Sequence, residues 1–347
     1  MTIQSAVLSL TKMIGGYEIS RKLTANGLQI LCFHGISLKD EHTVFPKLFI
    51  TKEQFQKRLQ WLQQHSFNVI SLSEALEKLQ KNTLLKDSVV ITFDDGWSGL
   101  KPYAIPLLES SAFPATLYST TYYSEKESMV FNIALRYILK KSPRQTINLS
   151  SLSEPFSKPF NLSKEKDHTY LNQKLNKLAK TEMTDTERQQ LLMKIASAVE
   201  VDFDEMSTLR MFELLTVDEL KKAASHGLDI QLHTHRHRAA NASALNFKQD
   251  IIDNKAALKP CARSKLIHFC YPGGITNRAV LPILEELKIE SATTCKSGLN
   301  YQNSNPLLLS RFLDDTNISS QTFEAEMVGA LELARQIRNR IKPRENR

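Results

Sequence analysis

At 347 residues the chain exceeds a usual single-domain length, but one barrel of strands and helices of that size is common. An apolar share of 41% supplies a sizeable core and excludes global disorder. The formal charge is +8, yet much of it sits at Arg335, Arg338, Arg340, Lys342, Arg344 and Arg347, and the near-neutral remainder argues against a nucleic-acid partner.

Two further features bound the setting. Cys32, Cys261, Cys270 and Cys295 are scattered and form no CxxC pair, so neither a zinc knuckle nor a dithiol redox motif is suggested. Reduced thiols in a cytosolic protein are the expectation. The apolar run within residues 1–22 is interrupted by Lys12, with no basic stretch before it and no small-residue cleavage pattern. No other uncharged run is long enough to span a bilayer. A cytoplasmic location follows as an expectation. The basic tail, 325–347, reads either as a solvated helix end or as a peripheral contact with anionic lipid at the inner membrane face.

In chain order, Leu28–Phe33 is the first strand candidate and ends at His34 and Gly35. Thr51 opens a helix on which Phe55, Leu59 and Leu62 recur at helical spacing. A short strand at 68–71 precedes a helix carrying Ala75, Leu76 and Leu79, with Ser73 as the predicted cap. Ser88–Phe93 is a continuous apolar run stopped by Asp94, Asp95 and Gly96, as suits a strand buried on both faces of a parallel sheet. A helix near Tyr103–Leu108 and a strand at Ala115–Tyr118 continue the alternation, which is the signature of an α/β fold.

From about 124 to 212 the rhythm breaks into a polar, lysine-rich, helical stretch with a Ser/Pro-rich loop at 142–163, read as an insertion rather than a separate domain. The alternation then resumes. Thr216 and Glu219 form a capping box, Gly227 ends that helix, and Leu228–Leu232 is a strand that delivers His233. Further strands are predicted at Leu266–Tyr271, Ser291–Cys295 and Leu307–Phe312, with a helix at Ala279–Leu287.

Three strands end directly in polar residues, at Asp94-Asp95-Gly96, at His233-Thr-His-Arg-His237, and at Tyr271-Pro-Gly-Gly274. In parallel barrels the site gathers at such carboxyl ends. Imidazole nitrogens suit zinc and other borderline divalent metals, so His233 and His237 are ligand candidates, the competing reading being an exposed polar loop. Adjacent buried carboxylates repel one another unless a cation relieves them. The competing reading there is an Asp-Gly turn. There is no GxGxxG after a strand, no GxxxxGK[ST] and no GxSxG.

Together these segments resemble the polysaccharide deacetylase family (carbohydrate esterase family four, the NodB-homology domain). The carrying residues are Thr92-Phe-Asp-Asp-Gly96 and His233-Thr-His-Arg-His237, supported by Leu31-Cys-Phe-His-Gly35 and Leu214-Leu-Thr-Val-Asp-Glu-Leu220. The likeness covers roughly 28–125 and 212–315, and leaves the insertion and tail unassigned.

The resemblance implies a distorted (β/α)7 barrel, with its core at about 28–315, the helical insertion at 124–212, and a basic tail. It implies a hydrolase that removes the N-acetyl group of an amino sugar in a glycan or in a lipid- or nucleotide-linked precursor. Asp94 is then the base, and Asp95, His233 and His237 hold a divalent metal, zinc first, with cobalt or nickel as alternatives. His235 falls on a variable position of the motif and is not counted as a ligand.

Neither the family's usual third-motif arginine nor its late histidine is found, and His34 is the best substitute for the general acid. The competing reading of His34 is a loop-bonding histidine. The backbone N–H of Tyr271, with Pro272 and Gly273 beside it, is a candidate oxyanion and substrate contact. Arg311 is read as orienting Asp94, holding substrate, or making a surface ion pair. Another amide hydrolase such as a deformylase, or an inactive sugar-binding homologue, are the alternative functions.

Overall fold

The structure, a computed structural model, describes residues 3–150, 156, 158–241 and 243–341. Seven parallel strands form a curled sheet: β1 Gln29–Phe33, β2 Ser88–Asp95, β3 Ala115–Ser119, β4 Leu228–Leu232, β5 His268–Cys270, β6 Ser291–Thr293 and β7 Phe312–Leu313. Their spatial order is β6-β5-β4-β3-β2-β1-β7, and Asn68–Val69 adds a short parallel pairing beside β2. All eight residues of β2 are buried, including the β-branched run Val89-Val90-Ile91-Thr92, because helices cover the outside and side chains fill the inside.

The sheet curls until its edges meet. Leu309 bridges in parallel to Thr293 at the end of β6, and Arg311 N–H donates to Lys296 O. The next two residues, Phe312 and Leu313, pair with Leu31 and Cys32 of β1. One five-residue segment, 309–313, is therefore bonded to both edges. The expected distorted seven-strand barrel is the fold observed.

Local signals explain several helix starts. Thr51 caps the helix Lys52–Gln64 by accepting from Gln54 N–H, and Thr216 with Glu219 makes the reciprocal capping box of Val217–Ser225. The cap of the helix Leu72–Gln80 is Ser71, which accepts from Glu74 N–H. Ser73, predicted for that role, lies inside the helix, and its hydroxyl meets His268 Nε2 at 2.8 Å. The strand expected from Leu307 begins instead as a 3-10 turn, Pro306–Leu308. The predicted helix at Ala279–Leu287 is a 3-10 turn, Arg278–Val280, followed by Leu281–Glu286.

The insertion contains helices Phe131–Lys141, Glu165–Glu182, Asp185–Ala198 and Phe203–Thr208, and a small hairpin of Thr146–Ile147 with Phe160–Asn161. Its apolar cluster, with Leu135, Ile138, Leu171, Leu175, Leu192 and Ile195, is continuous with Phe45, Phe49 and Trp97 of the barrel mouth. Shared packing of this kind fixes the insertion on the rim. Two helices not foreseen, Ile3–Met13 and Gly16–Thr24, pack through Leu8 and Tyr17 onto Ala325 and Val328 near the C-terminal helix Ala330–Ile341. Lys342, Arg344 and Arg347 of the basic tail lie outside the described residues. Among the described residues no helix is long and apolar enough to cross a membrane.

Candidate metal centre and active site

β2 carries Asp94 and Asp95 to the barrel mouth, where the backbone reverses sharply. Asp95 has φ 70° and Gly96 has φ 100°, so two successive residues lie in the left-handed region. For a non-glycine residue that costs on the order of 1–3 kcal/mol. A Cβ at Gly96 would also sit 3.1 Å from Ser119 Oγ, so glycine relieves both the strain and the crowding. Trp97 Nε1–H then donates to Asp95 Oδ2 at 2.9 Å, which leaves Oδ1 facing the histidines.

His233 follows β4 directly. Its N–H donates to Asn254 Oδ1 at 3.0 Å, and the Asn254 amide donates in turn to Ser119 O and Thr121 Oγ1. Its Nδ1 lies 2.8 Å from Cys270 O. A carbonyl only accepts, so Nδ1 carries the hydrogen and Nε2 is the atom offered to a ligand. Thr234 and His237 adopt φ 61° and 53°, and this tight turn brings the second imidazole back over the first, with ring centroids 4.9 Å apart.

His233 Nε2 and His237 Nε2 stand 3.3 and 3.4 Å from Asp95 Oδ1. Donors about 2.1 Å from a common tetrahedral zinc ion would stand about 3.4 Å from one another. All three donor atoms lie within 4.8 Å of each other. The set therefore fits a small divalent cation, with a carboxylate and two imidazoles of the correct chemistry. Burial pushes the Asp95 carboxyl up, but the His233 hydrogen bond and the His237 charge outweigh it and hold Asp95 well below the usual carboxylate range.

Asp94 belongs to a different environment. Arg311 grips it in a fork, Nη1 to Oδ1 at 2.7 Å and Nη2 to Oδ2 at 2.8 Å, with the guanidinium fully buried. Arg311 Nε is fixed by Thr294 O, and Nη2 also reaches Cys270 Sγ at 3.1 Å. The thiols of Cys32 and Cys270 approach Asp94 Oδ2 at 3.6 and 3.4 Å. Burial pushes Asp94 up, and the adjacent Arg311 charge more than reverses this, holding the carboxyl well below its ordinary range. Of the three readings of Arg311, the contact observed is the one expected for orienting Asp94. A surface ion pair is excluded by burial, and a guanidinium spent on Asp94 is not a substrate contact.

His34 Nε2 is 3.8 Å from Asp94 Oδ2, at the end of β1, with 17% of its side chain exposed. His235 is directed away from the metal set: its Nδ1 meets Thr121 Oγ1 at 2.8 Å and its backbone O accepts from Tyr122 N–H. The Tyr271 N–H is not free for an oxyanion, because it donates to Thr293 O where β5 and β6 run together. Pro272 and Gly273 form a 3-10 turn beyond that strand. The oxyanion contact expected of the Tyr271 N–H is corrected accordingly. Trp97, Asn254 and Cys270 hold the site yet are not singled out by the sequence; Trp97 alone offered a signal, following Asp95 by two residues.

The cleft has a volume of about 930 Å³. Asp95, Trp97 and His237 form one wall, and Phe131, Asn176 and Lys180 of the insertion form another. A strongly acidic carboxylate beside a divalent-cation set at the edge of such a cleft is suited to hydrolysis of an acyl group.

Comparison with known proteins agrees with this geometry. Over 110 residues the chain is 28% identical to a poly-beta-1,6-N-acetyl-D-glucosamine N-deacetylase of Staphylococcus epidermidis, a match covering 29% of this chain and 38% of that protein. The match thus spans well under half the length of this curated relative. The fold is similar to the Streptococcus pyogenes deacetylase PplD in complex with acetate, at TM-score 0.57 and 19% identity over 88% of this chain and 99% of that one. It is also similar to IcaB from Ammonifex degensii, at TM-score 0.55 and 17% identity over 87% and 97% of the two chains. The pattern described as Polysaccharide deacetylase matches residues 81–292, more than half of the chain and a span that contains Asp94, Asp95, His233 and His237. The chain therefore belongs to the polysaccharide deacetylase family.

Proposed function

We propose that this chain hydrolyses the N-acetyl group of an amino sugar, with Asp95, His233 and His237 holding a divalent cation, zinc by preference. The observation that carries the reading is the convergence of two imidazole nitrogens on Asp95 Oδ1, at 3.3 and 3.4 Å, beside a carboxylate clamped by Arg311. The family relationship and the relative's N-deacetylase activity point the same way.

Asp94 accepts the proton of the attacking water. Arg311 keeps it ionised and fixes both of its oxygens, so its geometry is set before substrate arrives. So acidic a carboxyl is a poor base toward ordinary water; Asp95, His233 and His237 would hold a cation that, when bound, would supply the missing acidification and polarise the amide carbonyl. Asn254 and the Cys270 carbonyl hold His233 in the tautomer that offers Nε2. His34, with Nε2 3.8 Å from Asp94 Oδ2, gives a proton to the leaving amine.

Two results are expected. Acetate release from an acetylated chitooligosaccharide should be abolished by chelation and restored by zinc, with cobalt or nickel as weaker substitutes; formate release from an N-formyl sugar, without acetate release, would instead identify a deformylase. His34→Ala should lower kcat by roughly 10²-fold or more on an unactivated amide. An aryl acetate, whose leaving group needs no proton, should lose much less. An equal loss on both substrates would remove His34 from the acid role.

A further inference from the structure

The cleft is cationic beyond what the metal set requires. It is lined by a single carboxylate, Asp95, and by Lys180, Arg188, Arg236 and Arg238. Two of the cations are neutralised in place. Arg188 pairs with Asp185 at 2.8 Å and donates to Ala179 O, and Arg236 pairs with Asp250 and Asp253 at 3.1 and 2.9 Å. Neither Lys180 nor Arg238 has an ion pair or a side-chain hydrogen bond with any described residue. Asp95 is already committed to Trp97 and the two histidines.

The two unpaired cations come from different elements. Lys180 lies near the end of the insertion helix Glu165–Glu182, and Arg238 follows His237 in the loop after β4. A lone lysine or arginine on a convex surface is ordinarily just solvated. Here two border one concave space with no carboxylate to spare, where low-dielectric walls focus their field. At about 930 Å³ the cleft is near the top of the range of about 300–1,000 Å³ seen for ligand pockets, and larger than one sugar ring needs.

We infer that the substrate carries an anionic group, a phosphate or a carboxylate, adjacent to the acetamido sugar, and that Lys180 and Arg238 receive it. Arg238 supplies a planar fork that matches either oxyanion, and Lys180 supplies a point charge from the insertion side. The insertion is thereby a specificity element. This rests on the deacetylase reading above.

The test compares acetate release by the zinc-loaded full chain from three classes of probe. N-acetylglucosamine 1-phosphate and its uridine diphosphate ester carry phosphate, a disaccharide with glucuronate carries carboxylate, and chitotriose is neutral. At least one anionic class should have a KM at least about tenfold below that of chitotriose, with the advantage shrinking as salt rises from 50 to about 300 mM. The class favoured distinguishes phosphate from carboxylate. In Lys180→Gln/Arg238→Gln the KM advantage should fall to about twofold or less, both side chains being exposed and so free to change without unfolding. Equal KM values in the parent, or an advantage that survives the double substitution, would overturn the inference while leaving the deacetylase reading intact. If no probe releases acetate, the deacetylase reading fails, and calorimetry with inorganic pyrophosphate judges the cleft by itself. Binding weakened about tenfold or more in the double variant supports the subsite, and no binding to the parent refutes it.

Discussion

Asp94→Asn is expected to lower kcat by about 10²–10⁴-fold, the usual worth of a positioned base, while zinc content measured after dialysis stays at the parent level. The amide matches the carboxylate in shape but accepts no proton. It also leaves Arg311 fully buried without a counter-charge. Breaking a buried pair by removing one partner costs roughly 3–5 kcal/mol, so denaturant titration should show a clear loss of stability as well. The pH dependence should change with it. The folded Asp94 carboxyl lies below its ordinary value of about 3.9, so its contribution is complete above that pH and is lost as the solution is acidified further. The variant should lack that part of the acid-denaturation profile. Parent-like turnover in a folded, zinc-containing variant would remove the base assignment.

Arg311→Met gives the complementary result. Burial already pushes the Asp94 carboxyl up, and the guanidinium is foremost among the groups that reverse it, ahead of His233 and His34. Without that charge the carboxyl should titrate higher than in the parent, and the acid limb of kcat/KM should move to higher pH. Activity at pH 6 should therefore fall further than activity at pH 8. Stability should drop by roughly 3–5 kcal/mol, now because a carboxylate is stranded. Arg311→Lys restores the charge but not the fork, and should recover the pH profile better than the rate. An acid limb that stays in place in Arg311→Met would mean that Arg311 does not govern the ionisation of the base.

The parts of this protein that can be read from sequence are those whose partners are close in the chain. Thr216 and Glu219 meet three residues apart, and their capping box was predictable. Asp94-Asp95-Gly96 and His233–His237 each put their chemistry in one short stretch at a strand end. Ser71 and Ser73 are both plausible caps for one helix. Choosing between them depends on a backbone angle, since Ser71 is extended at ψ 155°. Arg311 shows the larger limit. Its three possible roles differ only in what lies 217 residues earlier, and nothing local separates a forked clamp on Asp94 from a surface pair with Asp314. The Tyr271 N–H is a similar case, since only the parallel run of β5 beside β6 decides that it is already used. Asn254, in the middle of a helix, has no local mark of its place behind His233.

The segment 309–313 joins both edges of the sheet, and Arg311 is its middle residue. On the proposed mechanism, closing the barrel and arming the base are therefore one event. Fraying of this seam would withdraw the guanidinium from Asp94, while Asp95, His233 and His237, mounted on β2 and β4 across the sheet, could keep their grip on a cation. Such a molecule would be folded, metal-laden and inert. On that reading full metal occupancy would be a poor proxy for competence in this enzyme architecture, and the integrity of one short stretch of edge backbone a better one.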